Sequence, residues 1–227
     1  KYIDQIPFKE KYFKLLLHKI KPFLNKESNV LEIGSYYGVL GNIIKPFVNN
    51  YTGLELSKHA AQYSKNAYGL NIENDTLSNF LNKNLLFDVI IMSDVVEHLD
   101  DPFNIFKLIE KNLKPNGVLI FTTFNMDAFI PKLLGRKYHW IMPMHKFYFS
   151  NSTIKYSLNN NNMEIIKIKK DTRLVSVEYL LYKLSILINT FNFLFKFLLK
   201  FSFLKKRTIK INLFDLNIYF AKKIHKI

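Results

Sequence analysis

Apolar and polar positions follow two periods along the first half of the chain. Short apolar runs at Asn29–Ile33, Tyr51–Glu55, Phe87–Met92 and Gly117–Phe124 have the length and content of strands covered on both faces of a sheet. Between them, Val39–Val48, Lys58–Tyr68 and Pro102–Asn112 read as helices, and an amphipathic helix leads the chain over about Pro7 to Leu24. The punctuation agrees. Asp101-Pro102 places a capping side chain before a proline suited to a first helical turn, and Lys114-Pro115-Asn116-Gly117 reads as a turn into the next strand. Strands alternating with helices predict an α/β fold with an open, largely parallel sheet.

After Phe124 the pattern changes. Asn125 to Phe149 is aromatic and loop-like, Ser150 can cap a helix to about Leu158, and Asn159–Asn162 reads as its end and a turn. Met163–Lys169 alternates like a strand, a long helix spans about Val175 to Phe203, and a last strand lies near Ile211–Ala221. In that helix Ser185, Asn189, Asn192, Lys196 and Lys200 form one polar stripe, with Lys205-Lys206-Arg207 beyond it. The uncharged run Leu184–Phe195 is too short for a bilayer span, so the segment 184–207 suits either packing on the sheet or contact with an anionic membrane surface.

Composition narrows the picture. The chain has 227 residues and 48% hydrophobic content, enough for a full core and too much for general disorder. It has no cysteine, which removes disulfides, thiolate metal sites and thiol nucleophiles. The lysines within Phe8–Leu24 break any signal-peptide pattern, and a first residue of Lys fits a piece of a longer chain. The net charge of +15 is uneven: residues 1–150 hold 18 Lys/Arg against 14 Asp/Glu, residues 151–227 hold 15 against 4. An anionic partner is therefore to be sought on the C-terminal third.

The stretch Val30-Leu31-Glu32-Ile33-Gly34-Ser35-Tyr36-Tyr37-Gly38 carries the chemistry. An apolar strand enters a glycine-bearing turn, a helix follows, and a second strand ends in Glu55. That is an opening βαβ unit that binds a nucleoside, with an acid placed to grip a ribose. Adding Phe87-Asp88-Val89-Ile90-Ile91-Met92-Ser93-Asp94-Val95-Val96-Glu97-His98-Leu99-Asp100-Asp101-Pro102 and Leu113-Lys114-Pro115-Asn116-Gly117, in that order, the chain resembles class I S-adenosylmethionine-dependent methyltransferases. Within them it is similar to the small-molecule branch of ubiquinone-biosynthesis and bacterial glycan-associated enzymes.

The resemblance implies a Rossmann-like, mostly parallel seven-stranded sheet with helices on both faces, the last strand antiparallel, and a C-terminal helical insertion. Residues 1–227 form a single domain: a leading helix (1–28), a cofactor-binding core (29–124) and a substrate-side remainder (125–227). It implies S-adenosyl-L-methionine as cofactor, with Glu55 on the ribose diol, Glu32 near the methionine amino group, Asp75 at the adenine amino group with Asn74 and Thr76 as rivals for that place, and Ser93 and Asp94 at the methionine end. Gly34 and Gly38 would let backbone approach the ligand. Tyr36 departs from the pattern, standing where the family usually has a middle glycine. His98 and His145 are the candidate catalytic bases, with His139 a further imidazole. No metal is assigned, although Asp94, Glu97 and His98 form the acid-x-x-Glu-His cluster with which some quinone-pathway relatives hold a divalent cation.

The expected activity is methyl transfer to an oxygen, carbon or nitrogen of a small or lipid-linked acceptor in the cytoplasm, with 184–207 as a peripheral contact on the inner face of a membrane. Its rivals are nucleic-acid methylation, suggested by the charge but lacking an Asn/Asp-Pro-Pro-aromatic signature, and a catalytically silent binding protein.

Overall fold

The computed structural model describes residues 5–187, 193, 197–198 and 207–224. Its contacts divide the chain into two compact units, one of residues up to Asp171 together with Phe214 onward, the other Thr172–Leu213.

The first unit is organised by a period-two alternation that sorts apolar side chains onto two faces. Strands β1 (Asn29–Ile33), β2 (Asn50–Leu54), β3 (Asn71–Glu73), β4 (Phe87–Ser93), β5 (Leu113–Phe124), β6 (Met163–Lys170) and β9 (Leu216–Lys223) form one sheet in the order β3-β2-β1-β4-β5-β9-β6. The first five are parallel, and β9 runs antiparallel to both β5 and β6, as expected. Val30, Val89, Ile91, Val118, Ile120, Ile218 and Phe220 turn to one face, where Leu16 and Ile20 of α1 (Ile6–Ile20), Leu40 and Ile44 of α2 (Val39–Ile44) and Ala61 of α3 (Lys58–Tyr68) cover them. Leu31, Ile90, Met92, Leu119, Phe121 and Tyr219 turn to the other. There Phe80 of α4 (Leu77–Leu81), Phe106 and Ile109 of α5 (Pro102–Asn112) and Leu158 of α7 (Asn151–Asn160) pack. A short α6 (Phe129–Leu134) lies in the loop-like stretch.

The expected caps form: the Asp101 carboxylate accepts the Asn104 N–H at 3.0 Å and the Ser150 hydroxyl accepts that of Thr153 at 3.0 Å. The Lys114–Gly117 turn does not separate from the strand. It sits inside β5 as an irregularity, with Asn116 at φ +63 and the pairing to β4 shifted between Phe87 and Val89. The expected final strand is two, with Ile211 ending one and Leu216 opening the other.

The second unit pairs β7 (Arg173–Ser176) antiparallel with β8 (Thr208–Ile211), and α8 (Val177–Leu187) follows β7 directly. The long helix expected from Val175 therefore starts later, because Val175 and Ser176 find strand partners in Ile209 and Thr208. Ser185, on the polar stripe read from spacing, is buried with its hydroxyl donating to the Tyr182 carbonyl at 2.8 Å. Asn189, Asn192, Lys196, Lys200, Lys205 and Lys206 lie outside the described residues. No helix among the described residues is long and apolar enough to cross a membrane.

Candidate active site

Chain order reverses between β1 and β4. β1 hands the chain outward to β2 and β3, whereas β4 lies on its other flank. At such a switch point the loops beyond neighbouring strand ends diverge and leave a crevice. A cleft of about 1060 Å³ occupies it, bordered by Ile33 at the end of β1 and Gly34 after it, Glu55 beyond β2, Asp75 beyond β3, and Ser93 at the end of β4 with Asp94 and Val95 after it.

Glu55 is buried and held by two backbone donors, the Tyr36 N–H on Oε2 at 2.8 Å and the Ser57 N–H on Oε1 at 2.7 Å. Each carboxylate oxygen carries two lone pairs, so both can still accept from a diol in the cleft. Glu32 lies deeper, on the β1 face that α2 covers. The Tyr51 hydroxyl donates to its Oε2 at 2.5 Å. Burial drives the Glu32 carboxyl up to about 8; the Tyr51 bond opposes this, the nearby Glu55 charge adds to it, and a Gly41 backbone bond opposes it. Burial and the Glu32 charge hold Tyr51 far above its ordinary value, so it remains a donor.

Tyr51 is a residue that motif reading misses. It reaches Glu32 because Gly41 has no side chain: a Cβ there would stand 2.3 Å from the Tyr51 ring. The signal lies in the pairing. Val30 faces Tyr51 and Glu32 faces Gly53, which puts the tyrosine and the acid on one sheet face, two residues apart.

The turn between β1 and α2 is left-handed at three points, Gly34 (φ +75), Tyr36 (φ +47) and Gly38 (φ +71). Packing also requires both glycines, and Gly34 lines the cleft. A Cβ on Gly34 would meet the Val95 side chain at 2.7 Å, one on Gly38 would meet Leu70 and Ser64 at 2.8 Å, and Gly38 is not among the cleft-lining residues. Tyr36 does not plug the cleft; its ring stands on the wall, 37% exposed and edge-on to Tyr37 at 4.6 Å.

Asp94, at the cleft, also has a positive φ (+56) and is pinned by Thr122: its N–H donates to the hydroxyl at 2.9 Å and its carboxylate accepts from it at 3.1 Å. Ser93 Oγ is buried at the cleft with no hydrogen-bond partner. The Asp75 carboxyl is held below its usual range, first by the Thr76 N–H and also by Lys83 and Asn79, at the adenine end implied by resemblance.

His98 lines the cleft; His145 stands behind it, the two rings 4.8 Å apart. Each Nδ1 lies 2.9 Å from a backbone carbonyl, that of Met144 for His98 and of Trp140 for His145. A carbonyl only accepts, so Nδ1 carries the hydrogen and the neutral ring keeps its lone pair on Nε2. Glu97, His98 and His145, and not Asp94, offer ligand-type atoms within 4.8 Å of one another. His139, Tyr138 and Trp140 are not among the lining residues; Tyr138 and Trp140 pack with Phe124 instead.

The charge of the cleft runs against that of the chain. Glu32, Glu55, Asp75, Asp94, Asp100 and Asp101 line it with a single lysine, Lys9, in a protein of net +15. Residues 8–168 match the family model described as a methyltransferase domain. The chain belongs to the methyltransferase-domain family. S-adenosylmethionine is the cofactor of these enzymes, and the cleft fits it: a ribose-ready carboxylate, an unsatisfied serine hydroxyl, and a buried acid whose ionisation calls for a cation.

Among curated relatives, the chain is 29% identical over 121 residues to a ubiquinone biosynthesis O-methyltransferase of Actinobacillus pleuropneumoniae, covering 48% of this chain and 52% of that one. It is 32% identical over 124 residues to its counterpart in Histophilus somni, covering 49% and 52%. The chain thus spans about half the length of the curated relatives it matches. A SAM-dependent methyltransferase structure from Archaeoglobus fulgidus superposes with a TM-score of 0.66 at 19% identity, over 98% of this chain and 99% of that one. Magnesium protoporphyrin IX methyltransferase from Synechocystis, with bound SAH, gives 0.62 at 10% identity, over 95% and 83%. At such identities these superpositions speak for the fold.

Proposed function

We propose that this methyltransferase-family chain transfers a methyl group from S-adenosylmethionine to a nucleophilic oxygen, carbon or nitrogen of a small or lipid-linked acceptor. The acidic cleft carries the reading. A nucleoside phosphate or dinucleotide would set negative charge against its carboxylates, whereas adenosylmethionine has no phosphate and brings a positive sulfur and a positive ammonium. The cofactor supplies an electrophilic methyl carbon, so alignment and water exclusion are the main tasks left to the protein. Glu55 accepts from the ribose diol, Glu32 faces the ammonium, Asp75 meets the adenine edge, and Ser93 and Asp94 bound the methionine end. Gly34 and Gly38 shape the turn. His98, with Nε2 as its basic nitrogen, takes the acceptor's proton where it has one, and His145 braces the His98 ring.

Residues 29–124 supply the cofactor half and 125–227 the acceptor half. The curated relatives favour a small acceptor over nucleic acid, and the basic excess lies in residues 151–227, outside the cleft's lining. In this reading the protein works in the cytoplasm, and the basic segment 184–207 is a peripheral contact with the inner face of a membrane, from which a lipid-linked acceptor would be met.

Calorimetric titration with S-adenosylmethionine and S-adenosylhomocysteine tests the cofactor half. Binding in the micromolar range, on the order of −8 kcal/mol, is expected, and Glu55→Ala should weaken it at least about tenfold, the loss of a charge-assisted hydrogen-bond pair. Unchanged affinity in the variant takes Glu55 out of the site.

A further inference from the structure

The loop from β1 to α2 carries one side chain that neither the turn nor the ribose carboxylate requires. Tyr36 holds a left-handed backbone (φ +47), a conformation that disfavours any residue with a Cβ. Both of its main-chain polar groups are anchored: the N–H donates to Glu55 Oε2 at 2.8 Å, and the carbonyl accepts from the Ser64 hydroxyl at 3.0 Å. The ring is braced as firmly. Tyr37 meets it edge-on at 4.6 Å and is itself edge-on to Tyr63 at 5.1 Å and His59 at 5.9 Å. A glycine would sit at this φ without strain; the tyrosine sets an aromatic ring on the cleft wall instead.

The position of that ring gives it a use. In S-adenosylmethionine the sulfur joins the ribose C5′ to the methionine chain. With the diol on Glu55 and the ammonium toward Glu32, the sulfur falls between the two carboxylates, along the loop Gly34–Tyr36 that links them. A sulfonium has no N–H or O–H to donate, and its charge is favoured by acceptor oxygens beside it, by a carboxylate at a distance, or by a π-face in contact; Tyr36 supplies the last of these. We propose that the Tyr36 ring is the sulfonium-recognition element of this site, binding the positive sulfur through its face and discriminating S-adenosylmethionine from the neutral thioether S-adenosylhomocysteine. This rests on the methyl-transfer reading and adds a specificity-determining residue to it. Burial, Tyr37 and Glu55 hold the phenol above its ordinary value, so the ring stays protonated and uncharged through the neutral range.

The test is a comparison of two ligands on one set of proteins. Each ligand is titrated calorimetrically into wild type, Tyr36→Phe and Tyr36→Leu, with thermal unfolding as a check on folding. Loss of a cation–π contact should cost Tyr36→Leu about 2- to 30-fold in S-adenosylmethionine affinity and leave S-adenosylhomocysteine nearly unchanged. Tyr36→Phe keeps the face and should keep the preference. An equal loss on both ligands, no loss on either, or a collapsed preference in Tyr36→Phe overturns the assignment. If Tyr36→Leu does not fold, Tyr36→Gly removes the ring and relaxes the backbone, and carries the same comparison. Wild type binding neither ligand is a different result, which overturns the methyl-transfer reading itself.

Discussion

Glu32 makes the stability of the ligand-free protein depend on pH in a direction opposite to most carboxylates. Its carboxyl ionises near 4.5 when unfolded and near 8 when folded, burial being the main cause. Between those values the folded state holds a proton that the unfolded state has released. Unfolding therefore sheds a proton, and raising the pH favours it. The stabilisation is complete below 4.5 and fades as pH climbs toward 8, with a slope of up to about 1.4 kcal/mol per pH unit and a total on the order of 5 kcal/mol. Glu32→Gln keeps an oxygen to accept from Tyr51 and cannot ionise. Urea unfolding of both proteins at pH 5, 6, 7 and 8, without cofactor, should show wild type losing stability relative to the variant at each step. The same site predicts that a cationic ligand reverses the trend. At pH 7 a group titrating near 8 is about 0.9 protonated, so pairing Glu32 with an ammonium releases close to one proton. Calorimetry in two buffers of different ionisation enthalpy reads that release. A stability difference between wild type and variant that is flat or rising from pH 5 to 8 refutes the argument, because it means Glu32 is already ionised in the folded protein.

Gly41→Ala sets a methyl 2.3 Å from the Tyr51 ring, and should cost about 1–3 kcal/mol by overpacking and weaken cofactor binding as Tyr51 leaves Glu32; thermal unfolding and calorimetry read the two effects. Ser150→Ala removes the α7 cap, a bond of 3.0 Å from Thr153, and should lower stability by about 1 kcal/mol with cofactor affinity unchanged. A coupled loss of affinity in the Ser150 variant would mean that α7 helps shape the cleft.

The fold of residues 29–124 was legible because local pattern and tertiary position coincide there. The β1 run, the acid closing β2 and the Asp101-Pro102 cap each state their place within a few residues, and the sheet needs nothing more distant to align them. Residues that act through long-range pairing stayed hidden. Tyr51 looks like an ordinary strand aromatic until the register sets it two residues from the Gly53 that faces Glu32, and until Gly41 vacates the space above. His145 stood alone in sequence, and the cluster expected from spacing was Asp94, Glu97 and His98; a loop folded back onto the Glu97 carbonyl, which accepts from the Lys146 N–H at 2.8 Å, brings His145 there instead. The start of the long helix was misread for a related reason. Helical periodicity around Val175 and Ser176 is overridden by pairing with residues 208–211, more than thirty positions away, which no local window contains.

Two features of the cleft act on the same cofactor charge by different physics, and they set the direction of exchange. S-adenosylmethionine carries one more positive charge than S-adenosylhomocysteine, so carboxylates concentrated at the strand ends of a basic protein bind reactant over product by Coulomb attraction. That attraction is long-ranged, and salt weakens it within a Debye length of about 8–10 Å. The Tyr36 face acts only in contact, and salt hardly touches it. A site with carboxylates alone would lose its preference for the reactant as ionic strength rises, whereas a site with a π-face at the sulfur retains part of it. Because the product is neutral at sulfur, both effects vanish as the methyl group leaves. Transfer thus removes the charge at sulfur, while the ammonium that faces Glu32 stays with the product, so the preference for reactant over product is set at the sulfur alone.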